Sequence, residues 1–136
     1  MGAMSTSVVV SAIAQDHLCW AWLGVFAGML SGAAMGLCFH NEQWQGGYGS
    51  WPRRMLRLGH ISFFGIAFLN FAYANTAAIA SAGAYAKLIS PLLLTGAILM
   101  PSVCVLAALH KPLRHLFPLP VIALVGATGL LLVGGF

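Results

Sequence analysis

The sequence predicts an all-α polytopic membrane protein, a single bundle of four transmembrane helices, and three observations carry that prediction. Of its 136 residues, 60% are hydrophobic and 6% charged, with mean hydropathy +0.92, and six Lys and Arg with two Asp and Glu are too few to cover a soluble domain of this length. Four apolar runs, each near the roughly 20 residues that cross a bilayer, take up most of the chain and leave no room for a separate soluble domain. The basic residues are also segregated. Arg53, Arg54 and Arg57 lie between the first and second runs, Lys111 and Arg114 between the third and fourth, and Lys87 stands alone between the second and third. By the positive-inside rule the first and last of these loops face the cytoplasm and both termini lie outside. The expected location is a bacterial inner membrane.

Residues 1–17 lack the basic start of a cleaved signal and read as a mobile or interfacial lead-in. The first span is expected over residues 18–39, with Trp20 and Trp22 at its outer end, where amphipathic rings prefer the headgroup level. Within it Gly24, Gly28, Gly32 and Gly36 recur every four residues. Such a stripe, a glycine zipper, removes side chains along one helix face and lets another backbone approach; the spacing leaves open whether that backbone belongs to this chain or to another.

The inner loop over residues 40–57 combines Gly46, Gly47 and Gly49 with Trp44 and Trp51. No Gly-Lys-Ser/Thr follows these glycines, so they read as a turn and not as a phosphate loop. Arg53, Arg54 and Arg57 set topology and are candidates for an anionic lipid headgroup.

The second span, 58–80, is the most polar, with His60, Ser62, Asn70, Tyr73, Asn75 and Thr76. Asn70 is expected to face protein, because an amide turned to hydrocarbon loses its hydrogen bonds. The third span, 85–110, carries Pro91 and Pro101, each removing a backbone hydrogen bond. The fourth covers 117–136.

Composition excludes several kinds of function. The two acids, Asp16 and Glu42, are too few for a carboxylate relay or a carboxylate metal site, and no intramembrane acid is present to couple transport. Cys19, Cys38 and Cys104 have no CxxC spacing, and Cys19 and Cys38 fall at opposite ends of one span, too far apart to pair. No metal site, no nucleic-acid partner and no catalytic activity of its own are expected.

Histidine is the residue type left to carry chemistry. His40, His60, His110 and His115 map to the inner side and His17 to the outer end of the first span. A four-helix bundle holds haem b through imidazoles from facing helices, and His60 with His110 is the best-matched pair. A quinone needs a donor near the interface and an aromatic wall, which His60, Phe63, Phe64 and Trp51 offer. The run Arg53-Arg54-Met55-Leu56-Arg57-Leu58-Gly59-His60, followed by Ile-Ser-Phe-Phe-Gly, resembles cytochrome-type membrane subunits in which a histidine follows an arginine-rich inner loop. The likeness covers about a dozen residues and carries over no site.

The expectation is a small integral subunit of a larger membrane assembly, respiratory or energy-transducing, in contact with lipid and with other transmembrane subunits or a second copy. The alternative is a free-standing small b-type cytochrome or quinone-reactive protein.

Overall fold

The computed structural model describes residues 2–80 and 83–134, without the side chains of residues 2–6 and 78. All regular structure among them is helical: α1 (Gly2–Phe39), a 3₁₀ turn (Trp44–Gly46), α2 (Trp51–Ala80), α3 (Ala86–Leu109), a 3₁₀ helix (Lys111–Leu116) and α4 (Pro118–Gly134). Four helical stretches are long and apolar enough to cross a membrane: Ser7–Phe39, Trp51–Ala77, Ala86–Leu109 and Lys111–Gly134. In hydrocarbon every backbone N–H and C=O must be bonded within the segment, which the helix does.

Two helices start earlier than the apolar runs indicate. The stretch read as a lead-in is helical from Gly2 and continuous with the first span, while residue 1 lies outside the described residues. No proline interrupts it, Ser11 Oγ donates back to the Val8 carbonyl (2.8 Å), and the polar step at His17 is absorbed inside the protein. Helix α2 begins at Trp51, not at residue 58, because Ser50 supplies the start: its carbonyl accepts from Arg54 N at 3.1 Å and its hydroxyl from Arg53 N at 3.4 Å. Pro52 falls in the first turn, where a missing N–H breaks no helical bond. Residues 135 and 136 of the expected fourth span lie outside the described residues.

Each helix runs antiparallel to the next. The α1–α2 register is set by glycine: a Cβ at Gly24 would lie 3.1 Å from Ala67 Cβ and 3.2 Å from the Phe63 carbonyl oxygen, one at Gly28 2.7 Å from Phe64 Cζ, and one at Gly32 2.8 Å from His60 Cε1. Gly36 has nothing within 4 Å. Gly59 of α2 meets Cys104 of α3 in the same way, at 3.1 Å, and Gly96 of α3 meets Leu124 of α4. At the opposite end from the arginines, Tyr73, Ala80, Ile89, Leu93 and Ala127 form one buried cluster, and Ile66, Ala67, Val103, Cys104 and Ala107 are buried further along the bundle. Helix α1 touches α3 only sparingly and α4 packs chiefly on α3, so the four spans form a bent row with a seam between α1 and α3.

These distances rank the glycines. Gly24→Leu is expected to lower the melting temperature most, since Ala67 Cβ and a backbone carbonyl cannot rotate away, with overpacking worth about 1–3 kcal/mol. Gly28→Leu meets the tip of a partly exposed Phe64 ring that can swing aside and should cost less. Gly36→Leu serves as the control. Thermal unfolding of the three variants in one detergent checks the order, and an equal loss at all three positions would refute it.

Candidate functional site

Two histidines enter the helix interfaces, and their hydrogen bonds give them opposite capacities. His17 on α1 is fully buried, with 0% of its surface exposed. Its Nδ1 lies 2.6 Å from Asn70 Oδ1 on α2 and its Nε2 2.9 Å from Ser90 Oγ on α3. Asn70 Nδ2 donates to the Ile66 carbonyl at 2.9 Å, so the amide presents its oxygen to the ring and His17 Nδ1 must carry the proton. In the neutral ring Nε2 then accepts from the Ser90 hydroxyl. Tyr73 closes the pocket edge-on, with ring centroids 4.5 Å apart. Both ring nitrogens and both ends of the amide are used. The imidazole has no lone pair left for a ligand, and the group acts as a clasp across three helices.

His60 on α2 is bonded on one side only. Ser31 Oγ donates to the Gly28 carbonyl at 2.9 Å, so it accepts from His60 Nδ1–H at 3.0 Å. The ring is steadied by Phe64 in a T-shaped contact at 5.3 Å, and Gly32 leaves room for Cε1. Nε2 has no hydrogen-bond partner among the described residues. In the neutral ring Nε2 is then an acceptor, fixed in orientation by the bond that Nδ1 makes, which is how proteins prepare an imidazole for a metal or a donor ligand. The ring lines a cavity of about 280 Å³ with Met35, Cys38, Trp44, Phe63 and Val105 among its walls.

His110 does not join it. It caps α3 in an extended conformation and is exposed, whereas Gly59 packs on Cys104, so His110 lies about six helical residues, or roughly 9 Å, beyond the level of His60. Trp51 is also turned elsewhere, its Nε1 donating to the Ala107 carbonyl at 2.8 Å. Of the aromatic wall expected around His60, Phe63 lines the cavity and Phe64 braces the ring.

The remaining sequence candidates fall into place by contact. Gly24, Gly28 and Gly32 face α2 of the same chain. Arg53 is buried in the first turn of α2, Arg57 is half-buried one turn further on and Arg54 is exposed. The cysteines are all free, Cys104 buried and Cys19 exposed, and among the described residues no group of three His, Cys, Asp or Glu could hold a metal ion.

Sequence reasoning missed His17. Its signal is the apolar stretch Val8–Val10 and Ala12–Ala14, interrupted by Ser11 and followed by Gln15 and Asp16, which extends the span upstream and places an imidazole inside a helix. No protein-family model, curated protein or solved structure matches the chain.

Proposed function

We propose that the chain is a small integral subunit of a larger membrane assembly, of the respiratory or energy-transducing kind, oriented with its arginine-rich end in the cytoplasm. The observation that carries this reading is the seam between α1 and α3. It is a groove of about 560 Å³, with Trp20 on one side, Ile98, Pro101, Ser102 and Leu106 on the other and Phe63 at its floor. Pro101 takes away the helical donor for the Ala97 carbonyl, and Ala97 lines the groove. Small residues, a polar hydroxyl and a freed carbonyl are what an additional transmembrane helix can pack against, in a solvent where apolar surface alone drives no association. Composition supports the same reading: the one acid within a candidate span among the described residues, Asp16 of α1, is exposed and turned away from the bundle beside His17, and no nucleophile pair is present. The respiratory assignment rests on the inner-side histidines and the likeness around Arg53–His60.

A photo-crosslinking residue at Ile98, compared with one at Ile122 on the exposed face of α4, tests the seam in native membranes. The seam position should give one discrete protein adduct and the α4 position only lipid adducts. Lipid adducts alone at both positions would sink the reading.

A second reading is favoured by His60: a free-standing quinone-reactive protein or small b-type cytochrome, in which Nε2 accepts a hydrogen bond from a quinol or ligates a haem iron. If haem is bound, its second axial ligand must come from somewhere other than His110. Haem or quinone content of the purified protein, by absorption and organic extraction, decides this reading.

A further inference from the structure

The loop and first turns of α2 concentrate three arginines, none of them in an ion pair among the described residues, with Glu42 as the one acid nearby. Arg53, Arg54 and Arg57 occupy the first two turns of a 30-residue helix with no acid in its first turn. That is the positive pole of the helix dipole, where cations are disfavoured and anions favoured. Spacings of three and four residues bring Arg54 and Arg53 alongside Arg57 on the helix surface. Asp16 lies near the middle of α1, far from this loop, and no ion pair joins the arginines to a carboxylate among the described residues.

A second observation is independent of the helix terminus. Arg53 is 3% exposed, yet its guanidinium meets only neutral groups: Nη1 donates to the Glu42 carbonyl at 2.8 Å, Nη2 to the Asn41 carbonyl at 3.1 Å, and the Phe39 ring lies 4.4 Å below. Its Nε is buried without a hydrogen-bond partner. A buried guanidinium without a counter-ion is costly unless an anion lies close by. Arg53 lines a cavity of about 500 Å³ whose other walls include Phe39, Gln43, Gly47 and Tyr48. Arg57 does not line this cavity but stands against its Tyr48 wall, with Nε donating to the Arg53 carbonyl at 3.3 Å, Nη2 to the Tyr48 carbonyl at 3.0 Å, and its carbon centre 4.2 Å from the Tyr48 ring centroid. Its Nη1 is left without a partner among the described residues.

We propose that this loop and the start of α2 form a site for one phosphate group, either the headgroup phosphate of an anionic lipid or a free phosphate. Arg57 Nη1 and the exposed Arg54 make the contacts, and Arg53 supplies the buried charge behind them. Guanidinium forks match phosphate oxygens in pairs, which a lysine cannot do. Glu42 also lines the cavity, and its exposed carboxylate opposes an anion there. The site does not depend on the subunit reading above.

The test uses the full chain in nanodiscs containing equal dioleoyl phosphatidylglycerol and dioleoyl phosphatidylcholine, with retained lipid measured by native mass spectrometry after detergent release. The wild type should keep one phosphatidylglycerol per chain, roughly ten-fold or more over phosphatidylcholine. Arg54→Gln with Arg57→Gln should abolish the preference, the lysine pair should restore it only in part, and Glu42→Gln should strengthen it. Excess inorganic phosphate separates the sources: displacement of the retained lipid, or a raised melting temperature without lipid, assigns the site to free phosphate, and no effect assigns it to the headgroup. Equal retention of the two lipids together with no response to phosphate would overturn the proposal. So would a preference unchanged in a folded Arg54→Gln, Arg57→Gln variant.

Discussion

Replacing Asn70 with leucine should destabilise the protein by about 1–3 kcal/mol, the largest loss expected from any single polar-to-apolar change in the spans. The substitution removes the acceptor for His17 Nδ1–H and the donor to the Ile66 carbonyl, and leaves a fully buried imidazole with an unmet N–H. A single interhelical hydrogen bond in a membrane contributes about 0.6 kcal/mol on average, so most of the effect comes from the orphaned group. Removing both partners together should therefore cost less than the sum of the single losses. His17→Phe, Asn70→Leu and the double variant, unfolded under one set of conditions, measure that coupling. Additive losses would mean that the clasp is not a unit.

The second large effect is expected at His60, and it falls on binding instead of stability. His60→Leu removes one bond to Ser31 and should cost about 1 kcal/mol or less, because Ser31 keeps its own bond to the Gly28 carbonyl. If the protein carries a quinone or haem, the same variant should lose it completely, since Nε2 is an unpartnered ring nitrogen at this cavity whose orientation the Ser31 bond fixes. His17→Leu should show the reverse pattern, losing stability without losing a pigment or quinone except through unfolding. Extraction and absorption of the two variants beside the wild type would separate them, and equal ligand loss in two equally stable variants would contradict the contrast.

The four spans were legible because the hydrophobic requirement of a bilayer acts on composition directly and needs no knowledge of neighbours. Helix starts were less so. Trp51–Arg57 reads as loop from its charge, but Ser50 and Pro52 form a helix start and the arginine stems reach carbonyls in the loop. The glycine stripe told that a backbone approaches α1 but not which one; the partner is α2, through Phe63, Phe64, Ala67 and His60. His60 and Asn70 stand out in the sequence as polar residues of the second span, yet their roles diverge for a reason no spacing records. Asn70 meets a histidine 53 positions away in sequence, while His60 meets a serine that has already given its proton to a carbonyl. His60 and His110 are not level in the structure, because span ends give only an approximate depth, whereas the Gly59–Cys104 contact sets the register of α2 on α3.

The central claim, that this chain works as a subunit, is tested most directly by its native mass. The protein, tagged at its own chromosomal locus and released from native membranes in a mild detergent, should migrate in a stable complex well above one 14.3 kDa chain with its detergent, in fixed stoichiometry with other membrane subunits. Migration as a lone 14.3 kDa chain under the same mild conditions would contradict the account.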